Sequence, residues 1–267
     1  MRAVILAAGV GSRLLPHTEN RPKCLLKIGG HSILEYQFAA LRHCGISDVV
    51  IVLGHQGDKI RAHLSVPVTF VDNREFATTG SSYSLWLTRD LIRDGFLYLN
   101  SDLVFHPRML ETLLASPHPD AIIIDRRVNL ADDMLKAEMD GERILRMSKT
   151  MPAELAAAEA VGPAKFSAQG ARHIVSYLDA LVERGERSRW AYETFGDIAH
   201  DRMFMGVENP GCIWAEVDTP TDLLEASRRI PSQFADFRAP RITTPVLADQ
   251  RRMWDINQPP IPSMDGC

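Results

Sequence analysis

Arg2-Ala-Val-Ile-Leu-Ala-Ala-Gly9-Val-Gly11-Ser-Arg13-Leu-Leu-Pro16-His-Thr18-Glu-Asn-Arg-Pro22-Lys23-Cys-Leu-Leu26 opens the chain and decides its fold. The apolar run 3–8 has the length and composition of a buried strand. It gives way to a turn holding Gly9, Gly11, Ser12 and Arg13, and Pro22-Lys23 follows on. Glycines after such a strand let backbone N–H groups come up to phosphate oxygens, because no Cβ stands in the way. Arg13 and Lys23 can neutralise the charge of a triphosphate. Two common phosphate loops are excluded. The P-loop needs a lysine after its second glycine, and Gly11 is followed by Ser12; the dinucleotide fingerprint needs a glycine where Leu14 stands.

Composition narrows the class. A chain of 267 residues can bury a large core, and 45% hydrophobic with 24% charged residues describes a soluble globular protein. A net charge of −4 without a basic block argues against general binding to nucleic acid or membrane surfaces. Cys24, Cys44, Cys212 and Cys267 are scattered, which excludes a CxxC zinc pattern and argues against a disulfide framework. Cys24 reads as a packed thiol. No run of about 18 apolar residues is present to span a membrane, and 3–10 is too short for a signal sequence. The expected location is cytoplasmic.

Beyond the glycine loop, strand and helix patterns alternate. Helices are expected at 33–44 (ended by Gly45), 81–91 and 107–115, with strands at 48–53, 68–71, 96–99 and 121–124. This alternation implies an α/β fold: a mostly parallel sheet with helices on both faces and ligands at the carboxyl ends of strands. The middle differs. Residues 134–148 read as a hairpin turning at Asp140-Gly141, 153–160 as an alanine-rich lid, 161–166 as a strand, and 168–184 and 190–200 as helices. A strand at 213–217 and a helix at 221–229 follow. We expect one domain over 1–230, with an acceptor-binding insertion of hairpin and helices at about 130–210. The stretch 231–267 holds six prolines and reads as an extended tail.

Asp102 and Asp218 each follow a strand and so fall where ligands sit. Mg²⁺ takes oxygen ligands from one or two carboxylates plus substrate phosphates, and Glu216, two residues before Asp218, points to the same strand face. These three are the expected metal set. Asp218-Thr-Pro-Thr also fits a helix N-cap with proline at the second helical position.

The ungapped pattern Leu-Ala-Ala-Gly-x-Gly-Ser-Arg-Leu-x-Pro-x-Thr-x3-Pro-Lys-Cys-Leu-Leu from Leu6 to Leu26 resembles the signature of the sugar-phosphate nucleotidyltransferase superfamily. Further segments resemble its small-acceptor cytidylyltransferases, which act on phosphocholine or 2-aminoethylphosphonate. They are Tyr98-Leu-Asn-Ser-Asp102, Asn73 to Trp86, Met134-Leu-Lys136, Ala158-Glu159-Ala-Val-Gly162, Trp190-Ala-Tyr192-Glu193 and Glu216-Val-Asp218. The likeness covers residues 1–229. It implies a Rossmann-like sheet and a base edge read by Leu6, Ala7 and Ala8, with Gln56 and Ser82 within reach. It also implies phosphates held by Gly9, Gly11, Ser12, Arg13 and Lys23, and an acceptor held by Lys136, Glu159, Trp190, Tyr192 and Glu193. Aromatic faces and a carboxylate would attract a cationic head group. The chain departs from the pattern at Ala158, Thr194 and Thr79-Gly80-Ser81, all on the acceptor side.

The implied reaction is in-line attack by a phosphate or phosphonate oxygen on the α-phosphorus of a nucleoside triphosphate, CTP by preference, with pyrophosphate leaving. The acceptor is already ionised near pH 7, so no general base is needed. Catalysis then rests on positioning and charge, with Arg13 and Lys23 as the catalytic cations and Mg²⁺ as cofactor. A sugar-1-phosphate transferase using UTP, GTP or dTTP shares the loop and the acids, and so does a nucleotide-binding regulatory subunit. A homodimer is compatible with the tail.

Overall fold

Arg2–Ala7 forms β1, and every residue after Arg2 in it is buried. A run without alternation requires cover on both faces. The computed structural model shows that cover; it describes residues 1–234 and 242. Along the chain follow β2 (Lys27–Ile28), β3 (His31–Ser32), α1 (Ile33–His43), β4 (Val49–Leu53), α2 (Gly57–His63), β5 (Thr69–Asp72), α3 (Ser81–Trp86) and α4 (Arg89–Ile92). Then come β6 (Gly95–Asn100), β7 (Leu103–Phe105), α5 (Pro107–Ala115), β8 (Ala121–Asp125), β9 (Lys136–Asp140), β10 (Arg143–Ser148) and β11 (Ala158–Ser167). The last elements are α6 (Ala168–Glu183), α7 (Ala191–Asp201), β12 (Met205–Glu208), β13 (Trp214–Glu216) and α8 (Pro220–Gln233).

Nine strands form one mixed sheet in the order β5-β4-β1-β6-β11-β8-β12-β10-β9. β5, β4, β1 and β6 run parallel, and β11 enters antiparallel between β6 and β8. Alternation along β1 divides the core. Val4 and Leu6 join Leu85, Ile174, Leu178 and Phe195 from α3, α6 and α7, while Ala3, Ile5 and Ala7 join Leu34, Phe38, Met109 and Leu113 from α1 and α5. The α/β architecture with helices on both faces is therefore as expected. Local signals hold too. Ser32 and Glu35 close a reciprocal capping box on α1, and Gly45, at φ +72°, ends it in the left-handed region that glycine favours.

Several expectations change. The helix expected at 81–91 is two helices, because the Thr88 hydroxyl donates to the Leu85 carbonyl at 2.7 Å and diverts the turn. The expected lid 153–160 ends inside β11. Ala158 and Ala160 are buried there, where small side chains fit between packed layers. The 130–210 stretch shares the main sheet, since β9 pairs with both β10 and β11. Four strands were unforeseen: the short pair β2 and β3, β12, beside β8, and β7, which pairs antiparallel with β13. α8 runs on to Gln233, so it takes in the first residues assigned to the tail; the rest of that tail, apart from Phe234 and Ile242, lies outside the described residues.

Lys136 begins β9 and is 1% exposed. Its ammonium donates to the carbonyls of Ala131, Asp132 and Lys149 at 2.9–3.0 Å and of Met134 at 3.2 Å. One side chain thus ties the approach to β9 to the end of β10. Replacing it by Met should strand these carbonyls and cost about 3 kcal/mol or more. Denaturant unfolding checks this, and a loss under about 1 kcal/mol would contradict the role.

Candidate active site

The cleft is built from the end of β1 outward. Gly11, at φ +67°, turns the chain, and the Thr18 hydroxyl donates to its carbonyl at 2.8 Å. The short 3₁₀ turn Ser12–Leu14 is anchored by Leu14, fully buried against Ile28, Val104 and Val217. Arg13, beside this anchor, stays exposed. A second 3₁₀ turn, Lys23–Leu25, buries Cys24 and Leu25 and leaves Lys23 facing the cleft. Burial pushes the Cys24 thiol up to about 12, which fits a packed, unreactive group.

The β7–β13 ladder brings the acids together. Leu103 pairs with Glu216, and the Val217 N–H donates to the Asp102 carbonyl at 3.0 Å. The N-cap of α8 is Thr219, with Pro220 at its first position. Asp222 accepts from the backbone N–H groups of Asp218 and Thr219 at 3.0 and 2.7 Å. Asp218 is therefore not the cap, and its carboxylate is free for the cleft. One oxygen each from Asp102, Glu216 and Asp218 lies within 4.8 Å of the others.

Two cations meet this cluster. Lys23 Nζ donates to Asp102 Oδ2 at 2.8 Å and to Asp218 Oδ1, and Arg13 Nη2 donates to Asp218 Oδ2 at 2.6 Å. Burial opposes the charge on Lys23, but Asp102 and Asp218 outweigh it and hold the pKa above the usual lysine value. Burial likewise opposes the charge on Asp218, and Lys23 and Arg13 hold its pKa below the usual carboxylate value. Glu216 is the uncompensated member. Burial, and then Asp102 and Asp218, push its carboxyl up to about 8. Asp102 Oδ1 is buried and meets no donor among the described residues. A crowded oxygen set with an orphaned acceptor suits a hard divalent cation.

The cleft encloses about 360 Å³. Of the residues expected at the nucleotide and metal positions, Leu6 to Gly9, Gly11 to Arg13, Lys23, Asp102, Glu216 and Asp218 line it. Gln56 and Ser82 do not. Gln56 donates to the carbonyls of Thr18 and Glu19 and so braces the loop from outside. Ser82 is buried against the Thr194 hydroxyl at 2.9 Å.

On the acceptor side Trp190 and Tyr192 line the cleft. Glu193 caps α7 instead, accepting from the Trp190 N–H at 3.0 Å. Lys136 is held by carbonyls as described, and Glu159 opens onto a different cavity. The cation that does line this side is Lys149, which the sequence reading missed; its Nζ lies 4.9 Å from the centre of the Trp190 ring. Its signal was register: Ser148 pairs with Lys136, so Lys149 stands one residue beyond, at the strand end. The Trp190 segment is fixed by close approach at Gly80. A Cβ there would lie 2.1 Å from the Arg189 carbonyl oxygen, and the Gly80 N–H donates to the Arg187 carbonyl at 2.7 Å.

The chain is similar to known proteins. The chain is 34% identical over 147 residues to the CMP-5'-(3-aminopropyl)phosphonate synthase of Streptomyces rubellomurinus, covering 53% of this chain and 23% of that one. It is 25% identical over 200 residues to the CTP:phosphoglutamine cytidylyltransferase of Campylobacter jejuni, covering 68% and 79%. The match to the choline-phosphate cytidylyltransferase of Streptococcus pneumoniae is 36% over 100 residues and spans 43% of that enzyme. Among solved structures, the CTP:phosphocholine cytidylyltransferase of Streptococcus pneumoniae superposes with a TM-score of 0.69 at 22% identity, covering 86% of this chain and 98% of that one, a likeness of fold. The inositol-1-phosphate CTP transferase of T. maritima gives 0.71 at 20% identity, with 86% and 96% covered. A family model for the MobA-like NTP transferase domain matches residues 3–184, and this chain belongs to that family.

Proposed function

We propose that the chain transfers a nucleoside monophosphate, CMP from CTP, to a small phosphate- or phosphonate-bearing acceptor and releases pyrophosphate. The observation that carries this reading is the meeting of Lys23 with Asp102 and Asp218 beside the Gly9–Gly11 turn, with Glu216 as a third acid. Relatives named as cytidylyltransferases support CTP and a small acceptor.

In this reading the backbone of Gly9 and Gly11 with Arg13 holds the β- and γ-phosphates. Lys23 moves from its carboxylate partners to the α-phosphate and the incoming oxygen, where negative charge gathers. Asp102, Glu216 and Asp218 would hold Mg²⁺, which supplies charge neutralisation on the triphosphate. Lys149 holds the acceptor phosphate. The acceptor oxygen is already an anion, so the residues need only align it with the α-phosphorus and keep its charge matched.

A hexose 1-phosphate acceptor is the second reading. The observation behind it is that Glu193 and Glu159 stand outside the cleft lining, so a cationic head group would meet aromatic rings there but neither of these carboxylates. The test is pyrophosphate release with Mg²⁺, crossing CTP, UTP, ATP, GTP and dTTP with phosphocholine, 2-aminoethylphosphonate, phosphoethanolamine and hexose 1-phosphates. Turnover with CTP and a small amine-bearing acceptor is expected; turnover confined to a hexose 1-phosphate would replace the first reading with the second.

Lys23→Ala should lower kcat about a hundredfold or more, the scale for losing one preorganised donor. A loss under about tenfold in steady-state kinetics would remove Lys23 from the transition state. Mg²⁺ should raise the thermal midpoint of the native chain and leave that of Asp102→Asn unchanged; equal shifts in both would remove the acids as ligands.

A further inference from the structure

A second cavity, of about 490 Å³, lies back to back with the cleft. Sequence neighbours divide between the two spaces. Leu135 and Ala160 line the cleft, Met134 and Glu159 line the cavity, and Glu216 is common to both linings. The wall is thus one residue thick along the hairpin and β11. Strand alternation explains the split, since adjacent residues of β11 face opposite sides of the sheet.

Glu159 is the informative group. It is 4% exposed, and its Oε2 meets no hydrogen-bond donor among the described residues. Two of the cations nearby are spent elsewhere, and the third, Lys149, lies against the Trp190 ring in the cleft lining. Lys136 donates to four carbonyls. Arg127 is held by Asp125, Nη2 to Oδ2 at 2.9 Å and Nε to Oδ1 at 3.0 Å. Asp125 is in turn satisfied by Asn209 at 2.7 Å and by the Trp214 indole N–H at 3.2 Å. On α8, Glu225 and Arg229 are exposed and of opposite sign. Burial first, then Asp125 and Asp133, push the Glu159 carboxyl up to about 7, the behaviour of an acid without a partner. An orphaned buried carboxylate costs free energy that a matching donor would recover.

The rest of the lining selects the ligand. Val128, Met134, Ile213 and Trp214 present hydrocarbon and an aromatic ring. The lining also carries Asp125, Glu216, Asp222 and Glu225. Asp125 is held by Arg127, Asn209 and Trp214, Asp222 caps α8, and Glu216 clusters with Asp102 and Asp218, so these acids are not gathered around Glu159 as the oxygen set a divalent metal needs. A primary ammonium on a short hydrocarbon body does fit. Its N–H groups meet the Glu159 carboxylate, its charge matches that group, and its carbons meet the apolar wall. We propose that this cavity is a second binding site, separate from the catalytic cleft, for a small organic molecule carrying a primary ammonium, which Glu159 anchors.

The test uses the full chain labelled at the tryptophan indoles, with the Trp214 and Trp190 resonances assigned through Trp214→Phe and Trp190→Phe. Propylammonium is titrated by NMR, with tetramethylammonium (a cation without N–H) and propanol as controls, in the presence and absence of saturating CTP. The expected result is a propylammonium-specific shift at Trp214 that persists with CTP and weakens at least about tenfold in Glu159→Gln. If Glu159→Gln alters the unfolding midpoint, Glu159→Asp replaces it, with the same weakening expected from its shorter reach. No shift at Trp214, an equal shift from propanol or tetramethylammonium, loss of the shift with CTP, a response confined to Trp190, or unchanged affinity in the variant would overturn the proposal. Because the readout is binding at Trp214, it is independent of whether the nucleotidyl transfer reading holds.

Discussion

The pairing of β7 with β13 is the constraint on which the site depends. It is a short ladder of three residue pairs, yet it sets Asp102 beside Glu216 and Asp218. Carboxylates this close repel, so the ladder alone would be a poor arrangement. Lys23 and Arg13 offset the repulsion, and both come from the opening loop. The same loop is anchored by Leu14, which shares its hydrophobic cluster with Val104 on β7, Val217 beyond β13, and Ala226 and Ile230 on α8. Packing and charge therefore hold the same three segments together. Deleting buried atoms of Leu14 would loosen the cluster and, through it, the position of Arg13.

The two halves of the cleft differ in how they are built. On the nucleotide side the backbone is presented directly at a strand end, and the charges sit on short turns with buried anchors. The acceptor side is assembled from side chains held at a distance. Lys136 fixes the backbone of Lys149 through its carbonyl, and the ring of Trp190 lies against the Lys149 ammonium. Contact of the 80–82 backbone with the 187–191 segment, which only a glycine at position 80 permits, fixes the Trp190 backbone.

The sequence made the first half legible and the second only in part, for physical reasons. β1 and its glycine turn form one contiguous motif, so period and composition suffice to place Gly9, Gly11 and Arg13. Asp102 and Asp218 lie at strand ends, and the carboxylate oxygens that Mg²⁺ needs supplied their pairing; β7, a strand of three residues, gives no periodic signal of its own. The acceptor residues depend on which face of a strand is turned to the cleft, and a one-residue step exchanges the faces. That is why Lys149 lines the cleft where Lys136 does not, and why Glu159 falls on the far side from Ala160. Glu193 and Ser82 stand outside the cleft lining for a different reason: a helix N-terminus and a buried hydroxyl each demand a partner nearby, and each finds it within the chain.

The most direct measurement is Mn²⁺ binding, followed by electron paramagnetic resonance with a non-hydrolysable CTP analogue, in the native chain and in Asp218→Asn. The account expects Mn²⁺ to bind in the presence of the nucleotide and to be lost or strongly weakened in the variant. Equal Mn²⁺ binding in both proteins would contradict the claim that the acids joined by the β7–β13 ladder form the metal and nucleotide site.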